Sequence, residues 1–193
     1  SLSADGAVVG IGAYLNDGNA RNAGHVRLYA WNGLSWVQRG SDIDGKAEDD
    51  YSGFSVSLSA DGAVVAIGAM EDQAGTLIER ADWGPGYVRL YAWDGSSWEQ
   101  RGSDIDGEAA ADKSGWSVSL SADGTVVAIG ANGNDGNGND AGHVRLYTWN
   151  GSSWEQRGSD IDGKSYSGRS VSLSADGSVV AIGGGHTSLY AWD

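Results

Sequence analysis

Oxygen-bearing side chains recur in this chain at spacings that suit a hard cation. Asp135-Gly-Asn137-Gly-Asn139-Asp140 sets side-chain oxygens at alternate positions of a glycine-rich stretch, the opening pattern of a loop that wraps calcium. The pattern lacks a glycine at its sixth place and a glutamate at its twelfth, where Leu146 stands. Its counterpart, Asp17-Gly-Asn19-Ala-Arg21, sets a guanidinium among the ligands, so the stretch also reads as an Asn/Gly turn. Asp-Ile-Asp-Gly recurs at Asp42–Gly45, Asp104–Gly107 and Asp160–Gly163. Two carboxylates two residues apart can share a cation, and the same residues serve a turn leaving a strand, which is the reading that leads here. Asp50 and Asp112 are expected to brace the turn that follows.

His25 and His143 hold equivalent places, with Tyr87 in that place between them. Tyrosine does not replace histidine as a neutral ligand or base, so the position reads as packing at a strand edge. His186 has no acid partner evident in sequence. No nucleophile motif, phosphate loop or zinc spacing is present, and the chain reads as non-enzymatic. Three Trp-x-Gly-x-Ser-Trp segments (Trp31/Trp36, Trp93/Trp98, Trp149/Trp154) offer ring pairs that would stack on a glycan or pack between repeating units. Segment Met70–Gly86 contains the only Pro and the only Met of the chain. Its Leu77, Ile78 and Trp83 form a candidate contact for a protein partner. Asn150-Gly-Ser152 is a glycosylation sequon.

The elements that position these residues repeat. Ser-Leu-Ser-Ala-Asp-Gly starts at Ser1, Ser57, Ser119 and Ser172. Around it each complete unit shows four short apolar or alternating runs, in the third unit 117–122, 125–131, 143–149 and 153–158. Ala-Asp-Gly joins the first two runs and Asn150-Gly151 the last two, both suited to tight hairpins. A four-stranded antiparallel meander, repeated and stacked, is the blade of a β-propeller. The fold class expected is therefore all-β: one repeat domain over 1–193, with blades near 1–45, 51–107, 114–163 and 166–193, fifteen strands, and the last blade without its outer strand. Four blades close a small ring or form an arc of a larger seven- or eight-bladed one.

The unit resembles the FG-GAP repeat of integrin alpha-subunit heads. The FG position matches Gly53-Phe54 and Gly115-Trp116 and becomes Gly168-Arg169. The GAP position matches Gly12-Ala13-Tyr14, Gly68-Ala69-Met70 and Gly130-Ala131-Asn132, and becomes Gly183-Gly184-Gly185. The resemblance implies an extracellular or cell-surface protein that binds or adheres. Integrin-type calcium loops lie between the first two strands, where this chain has only Ser-Ala-Asp-Gly, so that site is not carried over.

Net charge is −14, which disfavours nucleic acid and anionic lipid and favours cations or basic partners. No apolar run is long enough for membrane insertion. Absence of Cys excludes a disulfide framework and thiolate metal sites. The start at Ser1, inside a repeat, reads as a processed product or a piece of a longer protein. In an up-and-down blade the connections after strands two and four share one face. Those segments hold 18 of the 26 acidic and 6 of the 12 basic residues, so one face is expected to be negative. The function expected is a binding or adhesion scaffold, calcium-assisted at that face. Its alternatives are a glycan-binding propeller, or a structural subunit that self-associates through open blade edges.

Overall fold

Serine and aspartate build the first turn of every unit from their own side chains. Ser59 Oγ donates to Asp61 Oδ1 at 2.6 Å and accepts the Val64 N–H at 2.9 Å, while Asp61 Oδ1 accepts the Ala63 N–H at 2.9 Å. Ser3/Asp5, Ser121/Asp123 and Ser174/Asp176 repeat the arrangement. The hydrogen bond from Ser59 holds the Asp61 carboxyl below its ordinary value, against an opposing desolvation. A depressed folded-state value gives stability that is present above the unfolded value, about 3.9, and is lost as pH falls through the folded one. Ser59→Ala is therefore expected to weaken the fold at neutral pH by about 1–3 kcal/mol, since it strips a buried N–H of its acceptor. It should also flatten the acid limb of stability below about pH 4, measured by urea unfolding across pH.

The structure, a computed structural model, describes residues 1–71 and 83–192. Among these, seventeen strands form four antiparallel sheets. The first holds β1 (Val8–Ala13), β2 (His25–Trp31), β3 (Trp36–Gln38) and β4 (Ile43–Asp44). The second holds β5 (Ser55–Leu58), β6 (Val64–Ala69), β7 (Tyr87–Trp93), β8 (Trp98–Gln100) and β9 (Ile105–Asp106). The third holds β10 (Ser114–Leu120), β11 (Val126–Ala131), β12 (His143–Trp149), β13 (Trp154–Gln156) and β14 (Ile161–Asp162). The fourth holds β15 (Ser170–Leu173), β16 (Val179–Gly183) and β17 (Ser188–Ala191). The sheets are propeller-like blades.

The strand count differs from the expected fifteen for two reasons. The first strand of the first unit is reduced to an isolated bridge, Leu2 to Val9. The outer strand of the three full units is split in two. Tyr147 faces Gln156 and Val144 faces Ile161, so three steps on β12 span five on the outer strand, leaving a two-residue bulge. Asp-Ile-Asp-Gly is consequently not a turn beyond the strand: Ile161 and Asp162 rejoin the ladder, and Ile161 enters the core.

Each core lies between two sheets. Val64, Ala66, Val88, Leu90 and Ile105 of the second sheet pack on Leu120, Val127, Ile129 and Tyr147 of the third. The same pattern recurs between the first and second sheets and between the third and fourth. Ser-Leu-Ser-Ala-Asp-Gly also ties neighbouring blades together. Its first serine accepts the leucine N–H of the next copy (Ser1 from Leu58, Ser57 from Leu120, Ser119 from Leu173, each 3.0 Å). Its alanine N–H donates to the next alanine carbonyl at 2.8 Å, from Ala4 through Ala60 and Ala122 to Ala175. The FG and GAP glycines meet at the same boundaries. A Cβ on Gly68 would overlap the Gly115 carbonyl, and one on Gly130 would overlap that of Gly168.

The ends of the series are open. Ile11 of the first sheet is 51% exposed, whereas its equivalents Ile67, Ile129 and Ile182 are 1%, 1% and 2% exposed. On the opposite face Leu189 of the fourth sheet is 73% exposed, against 0–1% for Leu28, Leu90 and Leu146. Four sheets thus make an arc with an apolar face at each end, and a closed four-bladed ring would bury both.

Candidate functional site

The connections after the second and fourth strands of each unit bond to each other and form one shelf. Parallel bridges join Gly24 to Ser52, Gly86 to Ser114 and Gly142 to Ser167. Asn22 Nδ2 donates to Asp49 Oδ1 at 2.8 Å, and Arg21 pairs with Glu48 and Asp49. Asp50 Oδ2 accepts the N–H groups of Lys46 and Ala47 at 2.6 and 2.9 Å and the Tyr87 hydroxyl at 2.8 Å. Asp112 Oδ2 accepts those of Glu108 and Ala109 at 3.2 and 3.0 Å. Both aspartates thus brace the turn that precedes them, rather than the turn that follows as their place before Tyr-Ser-Gly and Lys-Ser-Gly suggests.

The Asp135 loop is bonded within itself and to the neighbouring connection. Asp135 Oδ1 accepts the Asp140 N–H at 2.7 Å, Asn137 Nδ2 donates to the Gly163 carbonyl at 2.8 Å, and Asn139 Nδ2 donates to Asp140 Oδ2 at 3.2 Å. The loop at Asp17 has the same bonds, Asp17 Oδ1 to the Asn22 N–H at 2.7 Å and Asn19 Nδ2 to the Gly45 carbonyl at 3.0 Å. One geometry with and without an arginine in the loop is a property of the turn.

The tryptophan pairs lie at blade boundaries. Trp98 Nε1 donates to the Arg39 carbonyl and Trp154 Nε1 to that of Arg101, each at 2.7 Å. The Arg39 guanidinium lies 4.8 Å from the Trp93 ring, and Arg101 lies the same distance from Trp149. Trp31 and Trp36 stand on the open first sheet and keep exposed faces. Leu77 and Ile78 lie outside the described residues. Trp83 is buried beneath the Lys113 ammonium, so its ring is packed rather than presented to a partner. Asn150 accepts the N–H groups of Ser152 and Ser153 through Oδ1 and donates to Glu155 from Nδ2 at 2.6 Å, closing the exposed hairpin.

The fold gathers a constellation that the linear reading kept apart. His143 opens β12 and pairs in register with Asp162 of β14. Its Nδ1 lies 3.8 Å from Asp160 Oδ2 and 3.8 Å from Glu108 Oε2, the latter carried by the preceding blade. His143 is almost fully enclosed and its Nε2 has no hydrogen-bond partner. Burial, and then the Arg145 charge, push this imidazole below its ordinary value, so it is neutral near pH 7. In the first unit His25, Asp42 and Asp44 gather in the same way. These are the two groups of three or more imidazole and carboxylate ligands among the described residues. His186 holds the matching sequence position in the fourth unit, two residues before the ladder of β16 and β17, which ends at Ile182 opposite Ser188. The repeated Gly-His before x-x-Leu-Tyr (24–29, 142–147, 185–190) was the sequence signal for this.

The sequence of this boundary is similar to a known repeat. Residues 98–147, from β8 through most of β12, match the FG-GAP repeat family. That match spans 50 of the 193 residues. The match includes Glu108, His143 and the Gly115/Gly130 motif glycines, and the contacts of those glycines give the FG-GAP motif its physical reason. No curated protein sequence matches the chain. Among solved structures, a protein named as a candidate 6-phosphogluconolactonase from Bacteroides uniformis superposes with a TM-score of 0.65 at 12% identity, covering 100% of this chain and 49% of its own. A second of that description, from Bacteroides fragilis, gives 0.53 at 11% identity over 85% of this chain and 38% of its own. At such identities the likeness is one of fold, and this chain spans about half the length of the first of them or less. Among the described residues no helix is long and apolar enough to cross a membrane.

Proposed function

We propose that this chain is a non-enzymatic binding scaffold, extracellular or displayed on a cell surface, that engages a protein ligand through its acidic loop shelf. The observation that carries the reading is the construction of that shelf. Its loops are bonded to each other at every blade boundary, on strands locked by the serine and alanine ladders, so the carboxylates are held on a rigid support. The FG-GAP repeat supports the same reading. The test is a panel of extracellular matrix proteins and glycans, with and without calcium, together with hydrolysis of 6-phosphogluconolactone. A matrix-protein ligand whose binding falls at least tenfold when Glu48, Asp49 and Glu108 become amides, with no lactone hydrolysis above buffer, is expected. Lactone turnover, or binding indifferent to those changes, overturns it.

A second reading rests on the open ends. Leu2, Val9, Ile11, Tyr29 and Trp36 line an apolar hollow of about 430 Å³ on the first sheet, and Leu189 and Tyr190 are bare on the fourth. Faces of this kind are buried at every internal boundary, which supports self-association of arcs end to end. Sedimentation at rising concentration is expected to show an oligomer that Ile11→Glu abolishes; a monomer throughout removes this reading.

A further inference from the structure

We propose that Glu108, His143 and Asp160 bind a divalent transition metal, with zinc the best match, at the boundary between the second and third blades. The three ligand atoms, Oε2, Nδ1 and Oδ2, lie within 4.8 Å of one another, with the nitrogen 3.8 Å from each oxygen. Zinc at about 2.1 Å from each donor sets ligand atoms about 3.4 Å apart in a tetrahedron, so closing on the ion moves the imidazole and each carboxylate together by about 0.4 Å and the two carboxylates together by up to about 1.4 Å. An imidazole with two carboxylates favours a transition metal over calcium or magnesium, and three protein ligands leave a position open to water or to a ligand carboxylate. His143 is enclosed and turns Nδ1 toward the carboxylates.

The independent support comes from the preceding boundary in the same chain. There the three positions hold Lys46, Tyr87 and Asp104. The Lys46 ammonium lies 2.7 Å from Asp104 Oδ2 and 3.7 Å over the Tyr87 ring. The protein thus supplies its own cation where the ring is a poor ligand. Where the ring is histidine, the lysine is replaced by Glu108, and two carboxylates face an imidazole. Arg145 is the cation nearby: its Nη1 lies 3.8 Å from Glu108 Oε1, which leaves Oε2 facing the imidazole, and its Nη2 donates to the Asp106 carbonyl at 2.6 Å. Asp160 keeps Oδ2 for a metal, since Gln156 bonds Oδ1. The first unit lacks this arrangement. Arg27 grips both oxygens of Asp42 at 2.8–3.0 Å, and that cluster is expected to bind far more weakly.

The test is calorimetric titration of chelator-stripped protein with Zn²⁺ alone and with Ca²⁺ alone, beside thermal unfolding. One zinc per chain is expected, undisturbed by a tenfold excess of calcium. Asp160→Asn should weaken binding at least tenfold. Glu108→Lys, which copies the second-blade arrangement, should abolish binding while leaving the metal-free unfolding midpoint unchanged or higher, so lost affinity is separable from lost fold. His25→Gln should leave it intact. No zinc uptake, equal uptake by Glu108→Lys, or equal competition by calcium overturns the assignment. None of these outcomes depends on whether the shelf binds a protein.

Discussion

Gly68→Ala should destabilise the protein by about 3 kcal/mol or more, although it adds one methyl group to a strand. The new Cβ overlaps the Gly115 carbonyl of the next blade, and backbone cannot rotate aside as a side chain does. Gly68 is not at positive φ, so the cost is wholly one of space. Gly130→Ala meets Gly168 in the same way and should cost about as much. Gly151→Ala is the control: φ is +104° there and nothing lies within 4 Å, so only backbone strain of about 1–2 kcal/mol is expected. Urea unfolding of the three variants checks this, and equal losses at Gly68 and Gly151 would show that the blades do not meet through these glycines.

The second large effect contrasts two leucines at one repeat position. Leu146→Ala removes a side chain enclosed between the third and fourth blades and should cost about 2–5 kcal/mol. Leu189→Ala, in the bare outer face of the fourth sheet, should cost less than about 0.5 kcal/mol in dilute solution. Thermal or urea unfolding at two protein concentrations distinguishes the outcomes. A cost at Leu189 that grows with concentration means that another copy covers the face, while a large cost at every concentration contradicts the open arc.

The histidine cluster shows where linear reading reaches its limit. Asp160 is seventeen residues from His143 and Glu108 is thirty-five away, so spacing does not associate them. Asp-Ile-Asp-Gly reads as a turn because Asp and Gly commonly leave strands. The two-residue bulge that returns Ile161 and Asp162 to the ladder is a pairing property, and it sets Asp160 beside the imidazole. Trp83 is apolar and lies outside the repeat, which suits a contact residue, yet it is buried under Lys113. An apolar residue in a loop has the same local signature whether the loop folds back or projects.

By itself the sequence determined the unit, its strands and its turns. These depend on contacts a few residues apart, such as the Ser59–Asp61–Val64 turn, and on alternation that a pleated strand imposes directly. It also marked the motif glycines and the acidic segments. The tertiary structure alone decided what lies across a blade boundary: the glycine contacts, the tryptophan and arginine packing, the open ends, and the union of Glu108 with His143 and Asp160. Those depend on how one blade stacks on the next, and the relative placement of two sheets is set by the summed packing of many side chains, which no short stretch of residues encodes.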